Sequence, residues 1–74
     1  MTKAEVRSLF PALLRTWREL PEVRDIPEQD LAFGRFWNWL RECHPDTTRF
    51  RSRMGAETDM EQWFDFATHQ SWRN

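Results

Sequence analysis

The sequence predicts an all-α domain, a small bundle of three main helices plus one short helix. Three observations carry this. Apolar residues recur at three- and four-residue steps in separate stretches, the spacing of one helix face. Proline, glycine and Thr or Asp stand where those stretches begin and end. Only residues 50–54 alternate apolar and polar in the manner of a strand, and no second strand candidate exists to pair with them.

Taken in order, Thr2 with Glu5 three positions on has the spacing of a capping box. Val6, Leu9, Phe10, Leu13, Leu14, Trp17 and Leu20 then follow one helical face. Pro11 interrupts them. In a helix interior, proline removes one hydrogen bond and crowds the carbonyl four residues earlier, costing about 3 kcal/mol. A break or kink near Pro11 is therefore expected, with residues 3–9 as a short, less stable segment. Pro21 is expected to end the helix. Residues 22–26 connect it to the next.

The central helix is expected over about 27–44, with Pro27 as its first residue. On a helical wheel, Trp39, Ala32, Cys43, Phe36, Leu40, Phe33 and Trp37 span roughly 160°. Such a wide arc is covered only if neighbours pack on two sides, with Trp37 and Trp39 at its edges. Gly34 lies outside the arc at a cost of about 1 kcal/mol relative to Ala. Either another backbone approaches there or the cost is tolerated.

Pro45 stops the central helix. Residues 47–54 are expected as a short helix sharing Phe50 and Met54 on one face, with Gly55 ending it. The last helix is expected to begin at Thr58, with Glu61 completing a second capping box. Met60, Trp63, Phe64 and Ala67 form its inward stripe; Phe66 and Trp72 lie off it. Core candidates are Leu9, Leu13, Trp17, Phe33, Phe36, Trp37, Leu40, Met60, Trp63 and Phe64.

Seventy-four residues are expected to make one domain, spanning 1–74, that buries a modest fraction of its surface. Five Trp and six Phe take the part that disulfides play in other small domains, since each removes about 150–250 Å² from water when buried. Net charge is −1, from 11 basic and 12 acidic residues. That gives no overall attraction to nucleic acid or an anionic membrane. Cys43 is the only cysteine, which excludes a disulfide framework and a paired-cysteine metal site. No apolar run is long enough to span a membrane, and the charged first residues lack a signal peptide's apolar core. A cytoplasmic location is expected.

Groups that could carry chemistry are sparse. Cys43 and His44 are adjacent, so on a helix they point about 100° apart and cannot face one another as a thiolate–imidazole pair. Cys43 reads as a small core residue, His44 as a helix-end cap, and His69 as a solvent-facing side chain. Gly34 and Gly55 alone cannot build a phosphate loop. No enzymatic activity, cofactor or metal is expected. Arg49, Arg51 and Arg53 form the one local concentration of charge and are candidates for binding an anion or nucleic acid, because Arg contacts phosphate bidentately. The plain alternative is a solvated turn offset by Asp46, Glu57 and Asp59.

The run Phe36-x-x-Trp39-Leu40 followed by His44-Pro45 resembles the opening helix of the YozE-like small bacterial proteins. In that family the stretch lies near the N-terminus; here it lies mid-chain. The resemblance covers about ten positions and implies a compact, SAM-like helical fold and little about function.

The leading functional expectation is a non-enzymatic module that contacts another protein, or its own copy, through surface aromatics. Its candidate contacts are Trp39, Phe66 and Trp72, each at or beyond the edge of its helix's stripe. The alternative is an accessory nucleic-acid or anion binder using Arg49, Arg51 and Arg53.

Overall fold

The computed structural model describes residues 1–69. It is all-helical there: α1 (Lys3–Arg18), α2 (Phe33–Cys43) and α3 (Ala56–His69), with 3-10 turns at Glu28–Asp30 and Pro45–Thr48. No strand occurs among the described residues. None of their helices is long and apolar enough to cross a membrane.

α1 starts at the expected capping box. The Thr2 hydroxyl accepts from the Glu5 backbone N–H at 3.2 Å, and the Glu5 carboxylate accepts from the Thr2 N–H at 2.9 Å. The expected break at Pro11 is absent, and α1 runs unbroken through it. The reason is tertiary. Pro11 is exposed, while Val6, Phe10, Leu13 and Trp17 on the opposite face are all buried. Their burial offsets the lost hydrogen bond. α1 stops at Arg18, short of Pro21. Leu20 leaves the helix and organises the link instead: its carbonyl accepts from the N–H groups of Val23 and Arg24.

The central helix is shorter than 27–44. Pro27 opens a 3-10 turn, Leu31 and Ala32 are extended, and α2 begins only at Phe33. The extended step lets Leu31 enter the core, at 4 % exposure. Phe36 and Leu40 are fully buried, while Phe33, Trp37 and Trp39 are half-buried. Ala32 and Cys43 fall inside the expected arc but are exposed, because they stand at the N-cap and at the last position of α2 along the chain, beyond the part that its neighbours cover. α2 does pack against both α1 and α3, but α1 and α3 also meet each other. The arrangement is a three-sided cluster around one core and not a sandwich.

Residues 47–54 do not form the expected helix. A 3-10 turn ends at Thr48, and an irregular segment carries Phe50 inward at 5 % exposure and leaves Met54 outside at 60 %. Gly55 adopts φ 97°, a backbone conformation that favours glycine, and α3 starts directly after it. Its carbonyl accepts from the Asp59 N–H at 3.1 Å. Thr58 therefore lies inside α3 and not at its start. On α3, Ala67 faces solvent and Thr68 is buried instead, its hydroxyl donating to the Phe64 carbonyl at 2.8 Å.

Of the expected core, Leu13, Trp17, Phe36, Leu40, Met60 and Phe64 are buried, and Phe33, Trp37 and Trp63 pack at its margin. Leu9 is 41 % exposed. Val6, Phe10, Val23, Leu31 and Phe50 complete the core.

Phe36 is the hub. Its ring lies 5.8 Å from Phe10, 5.2 Å from Trp17, 5.5 Å from Phe64, 6.0 Å from Trp39 and 6.5 Å from Phe33. These partners come from all three helices.

Two exposed positions carry a helix-propensity cost that packing does not require. No atom stands within 4 Å of a Cβ built on Gly34, so no backbone approaches there. Gly34→Ala is expected to stabilise the fold by about 0.5–1 kcal/mol. Pro11→Ala is expected to stabilise it by up to about 3 kcal/mol, less what the alanine adds to the freedom of the unfolded chain. Urea midpoints at unchanged slope check both.

Candidate functional site

Three surface regions bring chemistry-bearing side chains together. The first is the flank where the start of α3 meets α1. Lys3 and Arg7 stand one turn apart on α1, as Asp59 and Trp63 do on α3. The Lys3 ammonium lies 3.3 Å from Asp59 Oδ2. The Arg7 guanidinium sits over the Trp63 indole at 5.3 Å from the ring centre, a cation–π geometry. Phe50 stacks on the same indole at 5.7 Å and 12°. The irregular segment before α3 is thereby tied down by one buried ring.

Asp59 is a buried carboxylate, at 6 % exposure. Its carboxyl is held below the usual range, chiefly by the nearby Ser52 hydroxyl. Burial opposes this, and the Lys3 ammonium adds to it. Ser52 Oγ and Asp59 Oδ2 are both shielded from solvent, yet neither completes a hydrogen bond of good geometry.

The same segment presents Arg49, Arg51 and Arg53. All three are exposed, while Phe50 is buried and Ser52 half-buried. The offset expected from Asp59 is not available to them, because that carboxylate faces inward to Lys3.

The second region is a concavity of about 440 Å³ between the start of α2 and the middle of α3. Phe33 and Phe64 line it, with Glu61, Gln62 and Asp65. The two rings meet edge to face at 5.6 Å. Gln62 and Phe66 are one turn apart, so Phe66 stands next along that face. It is 67 % exposed, the most exposed large apolar side chain among the described residues.

The third is a smaller groove of about 260 Å³ between the α1–α2 link and α2, lined by Trp17, Leu20, Val23, Arg35 and Trp39 among others. Trp39 is half-buried: it stacks on Phe36 at 26° and meets the His44 ring at 5.0 Å.

The sequence-derived candidates therefore separate. Phe66 is presented to solvent; Trp39 is largely engaged with its own helix and the core. Trp72 lies outside the described residues. Cys43 is an exposed free thiol and not a core residue. His44 caps α2: its N–H donates to the Leu40 carbonyl at 2.7 Å, and its own carbonyl accepts from the Thr47 hydroxyl at 2.7 Å. Among the described residues, no three His, Cys, Asp or Glu side chains gather so as to hold a metal ion. Sequence reading missed the Lys3–Asp59 pair and the Phe33–Phe64 concavity, both of which join residues far apart in the chain.

No protein-family model matches the chain. Comparison with curated proteins and with solved structures gave no match either. No family match supports the resemblance to the YozE-like proteins read from residues 36–45.

The lowered Asp59 pKa sets the sign of a pH effect. Folding favours its carboxylate form, so the stabilisation is present above the unfolded carboxyl value of about 3.9 and is lost as pH falls through the lower folded value. Asp59→Asn is expected to lower the thermal midpoint at pH 7, and the gap to the parent is expected to close below about pH 4. Thermal melts of the two proteins across that range check it.

Proposed function

We propose that the chain is a non-enzymatic protein-interaction module that docks a partner protein, or a second copy of itself, on the Phe66 face of α3. The observation that carries the reading is Phe66 itself. A chain that packs Phe10, Phe36, Phe50, Phe64 and Trp17 to 5 % exposure or less leaves this one ring two-thirds in solvent. It stands beside a concavity floored by two more aromatic rings. Aromatic side chains that seat in such pockets are the usual anchors of protein interfaces. Among the described residues the core does not use Phe66, since the α3 residues buried in it are Met60, Phe64 and Thr68. Trp39 contributes at most its outer edge to such contacts. The reading includes no cofactor and a cytoplasmic setting.

Phe66→Ala separates this role from a structural one. Folding stability is expected to stay within about 0.5 kcal/mol of the parent, as for other exposed positions. Sedimentation of both proteins, and capture from the native cell extract with both as bait, read the interaction. Self-association or a captured partner that is lost with Phe66→Ala supports the reading. A parent that is monomeric, with captured proteins identical for both baits, contradicts it.

A further inference from the structure

We infer that residues 49–53 form an arginine comb that binds single-stranded nucleic acid through its phosphates, a second surface beyond the proposed Phe66 interface. Exposure alternates along the segment: Arg49, Arg51 and Arg53 face solvent, Phe50 is buried and Ser52 half-buried. The backbone there is irregular, with Arg49 at φ −121° and ψ 31° and a bend at residues 53–54, so it is the burial of Phe50 and the partial burial of Ser52 between them that leave the three arginines outermost. Positions two residues apart are separated by at most about 7 Å of chain, close enough for neighbouring guanidiniums to engage neighbouring phosphates of one strand.

The comb is held in place before any ligand arrives. Phe50 stacks on Trp63 and fixes the inward side. Arg7 stands over the same indole and brings a fourth cation to this flank. Of the three carboxylates near enough in sequence to offset the comb, Asp59 is buried against Lys3, and Asp46 and Glu57 are exposed without an ion pair to it among the described residues. Among the described residues no carboxylate pairs with Arg49, Arg51 or Arg53. The net charge of −1 thus conceals a local run of unneutralised guanidiniums.

The ligand class follows from what surrounds the comb. Duplex readers place a helix with basic or amide side chains in the major groove. The exposed face of α3 carries Glu57, Glu61 and Asp65, which phosphates repel. A flexible single strand can follow the comb without meeting that face. Recognition through phosphates alone makes binding sequence-tolerant and strongly salt-dependent.

The test is fluorescence anisotropy of a labelled oligothymidylate with the full chain. Three phosphate contacts on a single strand give a log–log salt slope of about −2, or about a twentyfold loss of affinity between about 50 and 200 mM salt. The triple variant Arg49→Ala, Arg51→Ala, Arg53→Ala is expected to lose this binding while keeping its helical circular dichroism. Arg24→Ala, which removes an exposed cation from the α1–α2 link, is expected to bind as the parent does. A duplex of equal length should bind more weakly than the single strand. Absence of binding at low salt, affinity that ignores salt, or a triple variant that binds like the parent overturns the proposal. So does displacement by polyglutamate at concentrations where poly(dT) is no better, which assigns the comb to an acidic protein partner. The Phe66→Ala variant is expected to bind the oligonucleotide normally, so loss of one surface leaves the other to be read by itself.

Discussion

The packing of the Phe36 ring is the constraint on which the other elements depend. It is fully buried and meets five aromatic side chains drawn from α1, α2 and α3. Aromatic pairs of this kind contribute about 0.5–1.5 kcal/mol each beyond their buried area. A chain of this length has few other resources, since small domains bury a limited share of their surface and ordering cost scales with every residue. The irregular features make sense as accommodations to this hub. α1 continues through Pro11 because Phe10 and Trp17 must both reach Phe36 from one helical face. α2 begins late because Leu31 must enter the core in extended backbone before Phe33 and Phe36 can turn inward.

What the sequence made legible follows from how locally each feature is determined. The Thr2–Glu5 box spans three residues and forms as read. The central stripes of α1, α2 and α3 were readable because an apolar side chain every third or fourth position has only one helical face to occupy. Pro11 misled because propensity is a local cost and its compensation is tertiary. Residues 47–54 misled because one buried ring, Phe50 on Trp63, outweighs a weak helical pattern in a short segment. Gly55 looked like a helix end and is instead the step into α3. Its positive φ can serve either purpose, and only the direction of the following chain decides between them.

The candidate sites were legible in part. Phe66 stood off its helix's stripe in the sequence and is exposed in the structure, whereas Trp39 stood at a stripe edge and is drawn in by Phe36 and His44. Wheel position separates the centre of a face from its opposite side. It cannot resolve an edge, where a large ring folds inward when a neighbour offers a surface. The arginines were visible as a cluster, but not as an exposed run without carboxylate partners. That property depends on Phe50 being buried and on Asp59 turning toward Lys3, a contact across more than fifty residues of chain.

Equilibrium unfolding of Phe36→Ala beside Phe66→Ala probes the role of the Phe36 ring, because the same atoms are removed from the hub and from the surface. Loss of a buried phenyl ring costs about 3–5 kcal/mol, most of what a domain of this size has to spare. Phe36→Ala is expected to show no cooperative urea transition, or one displaced nearly to zero denaturant, while Phe66→Ala unfolds like the parent. A Phe36→Ala protein that keeps a cooperative transition within about 1 kcal/mol of the parent would show that the fold does not depend on this ring.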